Sequence, residues 1–367
     1  MSAKLVPTPR PGVLEIAPYR GGEAGAPGFA KPIRLASNES ALGPSPRAIA
    51  AYAALAPEIY RYPDGAADML RQTLAKHYGL DAARIVCGNG SDELIGLLTK
   101  AYAGEGDEVL YSRHGFLMYP IAAKAAGARP VTAPEQHLTA DVDAILRAVT
   151  PRTRIVFLAN PNNPTGTYLS SEEVARLHAG LPKSVLLVID AAYAEFVQRN
   201  DYEPGIALVE ANSNVVMTRT FSKIYALAGL RVGWAYCSAE IADVLNRVRG
   251  PFNLNAAAQA AAVAALDDVA SVDRAREHND IWRPWLEREL AALGVTVQPS
   301  VANFVIVRFP GIGGKTANAA FEFLKSRGIL TRGIAGYQLP DWLRITIGTE
   351  EEMRAVVKAV ADFLGAQ

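Results

Sequence analysis

Between Arg84 and Cys237, short apolar runs rich in Val, Ile and Leu alternate with segments of helical periodicity. The runs are Arg84–Cys87, Glu108–Tyr111, Arg129–Ala133, Arg154–Ala159, Val185–Ile189, Val215–Thr218 and Leu230–Cys237. Strands that are apolar throughout are covered on both faces, and their alternation with helices predicts a mainly parallel sheet sandwiched by helices. Helices are expected from Ser91 through Ala101, over Leu117–Ala126 and Val142–Val149, and from the capping box Ser170-Ser171-Glu172-Glu173 to His178. After Gly250-Pro251 the pattern changes. Helices over Ala256–Asp268, Val272–Leu293, Thr316–Lys325 and Glu350–Leu364, with strands over Val295–Gln298, Asn303–Arg308 and Trp342–Ile347, predict a smaller α+β domain. The expected division is an arm over 1–34, partly joining the small domain, a large α/β domain over 35–268 and a small one over 269–367.

Several function classes are disfavoured. Thirty-seven basic and 37 acidic residues balance without a long block of either sign, so a nucleic-acid partner is not expected. Cys87 and Cys237 stand far apart, and the five histidines lack ligand spacing, so neither a disulfide framework nor a metal site is expected. That usage points to a reducing compartment, taken as the cytoplasm. No run of about eighteen apolar residues predicts a membrane span, and Met1–Pro11 has no signal-peptide core.

Ligands of such sheets bind beyond the carboxyl ends of the strands, where the polar clusters of this chain fall. Thr218–Gly233 holds one lysine, Lys223, with Thr220 and Ser222 before it and Arg231 after it. Taken alone this is a surface lysine in a hydroxyl-rich turn. With its neighbours it suits an amine that condenses with an aldehyde, pyridoxal phosphate being the common aldehyde cofactor, while hydroxyls and guanidinium hold the phosphate. Gly88-Asn89-Gly90-Ser91-Asp92-Glu93 leads a strand into a helix and offers free backbone N–H groups to the same anion. Asp190, at the end of an apolar strand, is the candidate to keep a pyridine nitrogen protonated, because a buried carboxylate without a partner is costly. Tyr193 and Asn163 are candidates for the ring's phenolic oxygen, and Phe116 for the ring face.

Four stretches carry a resemblance: Asn160-Pro161-Asn162-Asn163-Pro164-Thr165-Gly166, Asp190-Ala191-Ala192-Tyr193, Ser222-Lys223 with Leu227–Gly233, and Leu343-Arg344-Ile345-Thr346-Ile347-Gly348-Thr349. The chain resembles the fold-type I pyridoxal-phosphate aminotransferases of the class I/II group. Asn38-Glu39, Tyr60–Asp64, Gly88–Glu93 and Tyr193-Ala194-Glu195-Phe196 resemble most the histidinol-phosphate aminotransferases within it. The resemblance implies that Lys223 binds the cofactor and moves the proton. It implies that Asp190 pairs with the ring nitrogen, that Tyr193 and Asn163 contact the ring oxygen, and that Phe116 stacks on the ring. Ser91, Asp92, Thr220, Ser222 and Arg231 would surround the phosphate, with Tyr62 reaching it from the second subunit of a homodimer. Arg344 would bind an α-carboxylate. Arg332, Tyr19, Asn38 and Asn303 are further substrate candidates. The implied substrates are small amino and keto acids: glutamate and 2-oxoglutarate, with histidinol phosphate and imidazole-acetol phosphate. Alternatives are an aromatic aminotransferase, a decarboxylase of a phosphorylated amino acid, and a regulatory module that binds the cofactor without turnover. The chain departs from the family pattern at Ser40-Ala41, where Asn-Pro is usual, at Ala191, where Glu is usual, and at Phe116, where Tyr is common.

Overall fold

The computed structural model describes residues 7–19, 21–23 and 25–365, so residues 1–6, 20 and 24 of the expected arm lie outside it. Seven strands form the central sheet: β1 (Ile85–Gly88), β2 (Glu108–Ser112), β3 (Arg129–Ala133), β4 (Thr153–Ala159), β5 (Leu186–Asp190), β6 (Val215–Thr220) and β7 (Gly233–Tyr236). Their order across the sheet is β1-β7-β6-β5-β4-β2-β3. β7 runs antiparallel to both neighbours, and the other pairings are parallel. Every strand except the edge strand β3 feeds both faces. In β5, Leu187 and Ile189 join one buried cluster while Leu186 and Val188 join the other. That double burial is why the strands read as continuous apolar runs.

β6 runs two residues past its expected end, to Thr220. β7 is shorter than expected. Ala228–Leu230 forms a 3-10 turn, Arg231 is left-handed at φ 57°, and pairing begins only at Gly233. A Cβ on Gly233 would lie 2.5 Å from the Ser91 backbone nitrogen and 2.9 Å from the Arg219 carbonyl. Both obstacles are backbone and cannot swing aside. Gly233→Ala is therefore expected to destabilise the fold by about 1–3 kcal/mol, measured by denaturant unfolding.

A second, antiparallel sheet contains Thr296–Gln298, Phe304–Arg308, Trp342–Thr346 and Arg332–Gly333, in that order. It packs with helices Val269–Ala292, Ala317–Ser326 and Glu350–Leu364 around a separate core holding Val305, Leu324, Ile345 and Met353. The long helix starts at Val269, three residues before its expected start, because Asp268 caps it by accepting from the Ser271 N–H. Ile33–Arg34 adds in parallel to Ile329–Leu330, and Leu35 enters the same core. The end of the arm is thereby built into the smaller layer. Helices Asp68–Tyr78 and Ala239–Val248 were not anticipated. No helix among the described residues is long and apolar enough to cross a membrane.

Candidate active site

The parallel strands deliver their carboxyl ends to one rim. β1 leads to Ser91 and Asp92, β2 to Phe116, β4 to Asn163, β5 to Asp190 and Tyr193, and β6 to Ser222 and Lys223. β7 runs the other way, so its start lies at this rim. Gly233 pairs with both Gly88 and Thr220, which brings Arg231 beside the ends of β1 and β6. The result is a cleft of about 280 Å³, closed on its far side by Arg332 and Arg344 of the second sheet. Every residue expected at the site lines it except Tyr62 and Asn303.

One end of the cleft is built for an anion. The helix Ser91–Tyr102 opens here behind Gly90, whose φ is 83°. Its first N–H groups and its dipole favour negative charge. The Arg231 guanidinium reaches Ser222 Oγ at 3.2 Å and Asp92 Oδ2 at 3.0 Å. Thr220 Oγ1 accepts from the Ser222 N–H at 3.1 Å, which holds the turn before Lys223. A Cβ on Gly90 would meet the same guanidinium at 2.5 Å, so the glycine lets Arg231 close on the helix.

The floor holds two groups shifted from their ordinary ionisation. Asp190 is buried, and its carboxylate accepts from Tyr119 Oη at 2.9 Å and from Thr218 Oγ1 at 3.3 Å. Burial dominates and pushes its pKa up to about 6. Lys223 donates to the Ser37 carbonyl at 3.1 Å and lies 5.7 Å from the Tyr193 ring centre. Burial first, then the charge of Arg344, lower its amine to about 8. Titratable groups displaced toward neutrality in one cleft mark acid–base chemistry. Phe116 forms a wall, set edge-on to Tyr119 with centroids 5.9 Å apart.

On the opposite wall Arg344 is buried and donates to Asn163 Oδ1 at 2.6 Å and to the Ala36 carbonyl at 2.7 Å. Its Nε is buried and has no partner among the described residues. Tyr193 Oη accepts from Asn38 Nδ2 at 2.8 Å. Asn303 does not line the cleft: its Nδ2 donates to the Asn38 and Glu39 carbonyls, at 3.1 and 3.3 Å, which supports Asn38. Tyr62 lies away from this chain's cleft, 82 % exposed and stacked on Phe252 at 4.7 Å. Tyr119 and Thr218 were missed. Tyr119 lies three residues after Phe116, in the first turn of the helix Met118–Ala126, and its N–H donates to the Phe116 carbonyl at 3.0 Å.

A phosphorylated pyridine aldehyde fits this set. The helix start with Arg231 and Ser222 suits the phosphate, Asp190 the ring nitrogen, Phe116 the ring face and Lys223 the aldehyde. Among the described residues no cluster could hold a metal ion.

Comparison with known proteins agrees with the geometry. A family model described as "Aminotransferase class I and II" matches residues 30–360. A histidinol-phosphate aminotransferase of Paramagnetospirillum magneticum is 63% identical over 360 residues, covering 98% of this chain and 99% of the relative. One from Rhodospirillum centenum is 59% identical over 358 residues, with 98% and 99% covered. The crystal structure of histidinol-phosphate aminotransferase from Sinorhizobium meliloti in complex with pyridoxal-5'-phosphate superposes with a TM-score of 0.85 at 31% identity, covering 91% of each chain. The cleft, the topology and these likenesses lead to one conclusion: the chain belongs to the class I and II aminotransferase family.

Proposed function

We propose that this cleft moves an amino group between glutamate/2-oxoglutarate and histidinol phosphate/imidazole-acetol phosphate, a step of histidine biosynthesis, with pyridoxal phosphate as carrier. The observation that carries the reading is the enclosure of Lys223, Asp190, an anion cradle and Arg344 in a single cleft. The histidinol-phosphate aminotransferases similar over nearly their whole length support the substrate.

When bound, pyridoxal phosphate supplies an aldehyde carbon that takes up amines and a ring that withdraws electrons from the adjacent carbon. The chain's residues do the rest. Asp190 would hold a proton at the ring nitrogen, and its own hydrogen bonds from Tyr119 and Thr218 fix its plane. Lys223 Nζ, tethered at Ser37, would take the proton from the substrate Cα and return it to the former aldehyde carbon, on the far side of the amine nitrogen. Tyr193 and Asn163, which line the cleft, would contact the ring oxygen. Arg344 grips the α-carboxylate with a planar fork, in exchange for part of its bonding to Asn163 and Ala36. Arg332 and Tyr19, which also line the cleft, suit the substrate's distal phosphate or carboxylate.

The substrate is tested by comparing kcat/KM for histidinol phosphate, phenylalanine and tyrosine with 2-oxoglutarate as acceptor. Histidinol phosphate is expected to lead by about tenfold or more, with parallel double-reciprocal lines. Equal or faster turnover of phenylalanine would move the assignment to aromatic amino acids. Arg344→Gln is expected to lower kcat/KM for glutamate at least about 30-fold, the equivalent of ~2 kcal/mol for a buried charged contact, with the cofactor still bound.

The same reading extends to the assembly. Ile59, Tyr60 and Tyr62 are 84, 69 and 82 % exposed on one turn, an apolar surface suited to a second copy of the chain. We read the protein as a homodimer with Tyr62 completing the partner's phosphate site. We read its domains as 35–268 and 269–367 with an arm over 1–34 partly joining the smaller one, residues 35–39 bonding to that smaller layer as well, and its compartment as the cytoplasm.

A further inference from the structure

Residues 33–39 form a strap that belongs to the smaller layer by its backbone. The Ile33 and Leu35 N–H groups donate to Gly328 and Leu330, the Thr346 N–H to Leu35, and Arg344 to Ala36. At Asn38 the strap turns with φ 54°, a left-handed conformation that asparagine tolerates better than most residues. Asn38 is clamped there. Its N–H donates to Thr346 Oγ1 at 3.0 Å, and its carbonyl accepts from Asn303 Nδ2 at 3.1 Å. Its Oδ1 lies 3.3 Å from Thr346 Oγ1, whose shorter bond is to the Leu35 carbonyl at 2.8 Å, and its Nδ2 faces Tyr193. Asn38 is 1 % exposed and Tyr193 3 % exposed.

The direction of this bond matters. An amide N–H can only donate, so the Tyr193 oxygen is the acceptor, and its own proton is left to point elsewhere. A phenol that accepts one hydrogen bond also donates a stronger one, because bonds in a chain polarise each other. We infer that Asn38 is a positioning residue that aims the Tyr193 proton into the cleft, toward the cofactor's ring oxygen, and that Asn303 and Thr346 hold Asn38 for this task. The inference rests on the proposed cofactor reading. The other charged or titratable groups acting on Tyr193 are Lys223, Asp190, Arg344 and Tyr337, and all stay in place in the variants below.

A ring oxygen that receives a strong hydrogen bond holds its negative charge in place and releases the neighbouring proton at lower pH. The test is the pH midpoint of the visible band of the protein loaded with pyridoxal phosphate, read without any substrate. Asn38→Gly keeps the backbone conformation and removes the donor. Its midpoint is expected to rise by about half a unit, the scale of one hydrogen bond. Asn38→Asp keeps the size but offers only an acceptor, which turns the Tyr193 proton away, so its midpoint should rise further. Asn303→Ala leaves the Asn38 side chain and loosens its clamp, with a smaller rise expected. In a Tyr193→Phe background, Asn38→Gly should shift nothing more. An unmoved midpoint in Asn38→Gly, or an equal shift with and without the Tyr193 hydroxyl, overturns the inference while leaving the proposed function standing. Absence of the visible band in the unaltered protein overturns both.

Discussion

Lys223→Ala protein is expected to lose transamination by at least about 10³-fold, the scale of a positioned general acid–base group, and to lose the visible absorbance of the cofactor covalently held by the chain. Among the described residues one lysine lines the cleft, and its other cations, Arg231, Arg332 and Arg344, are guanidiniums rather than amines. The variant is expected to fold, since alanine removes a charge whose burial lowers the amine to about 8. Circular dichroism and melting separate a folded, inactive protein from an unfolded one. Turnover within tenfold of the unaltered protein would remove Lys223 from the mechanism.

Asp190→Asn is expected to act in opposite directions on stability and activity. The carboxyl has its pKa raised from 3.8 to about 6 by burial. A raised folded value means that its contribution to stability is full below the unfolded pKa and is lost as pH rises through the folded one. A shift of about two units corresponds to roughly 3 kcal/mol. Cofactor-free Asp190→Asn protein should therefore melt above the unaltered protein, by a margin that opens between about pH 4 and pH 6 and stays constant above. The same change removes the partner of the ring nitrogen, so kcat is expected to fall at least about 10²-fold and the cofactor to bind more weakly. A variant that gains neither stability nor loses activity would show that Asp190 does not face a cation. The carboxylate is thus a group whose cost in the empty fold is offset by the ligand it serves.

Much of this site was legible in the chain, for physical reasons. Strands covered on both faces must be apolar throughout, so β4, β5 and β6 were visible as runs, and the polar residues just past them stood out. Lys223, Asp190, Asn163 and Tyr193 were found in this way. What escaped depends on contacts remote in sequence. Tyr119 is a helix residue whose polar tip meets Asp190, 71 positions away. Asn303 looked like a substrate ligand, yet its amide is taken by the strap at Asn38, 265 positions earlier. The break before β7 was hidden because Leu230–Cys237 is apolar enough for a strand, and only the approach of Gly233 to the Ser91 backbone sets where pairing starts. Helix Ala239–Val248 had a readable start, since Ser238 accepts from the Ile241 N–H. Tyr62 remains the case that a single chain does not place at its expected contact.

The central claim is that the cofactor is joined to one particular amine. Protein loaded with pyridoxal phosphate, reduced with borohydride and digested, can be read peptide by peptide in a mass spectrometer. The account predicts the added mass on Lys223 alone, and its loss in cofactor-free protein. The added mass on another lysine, or on none, would contradict it.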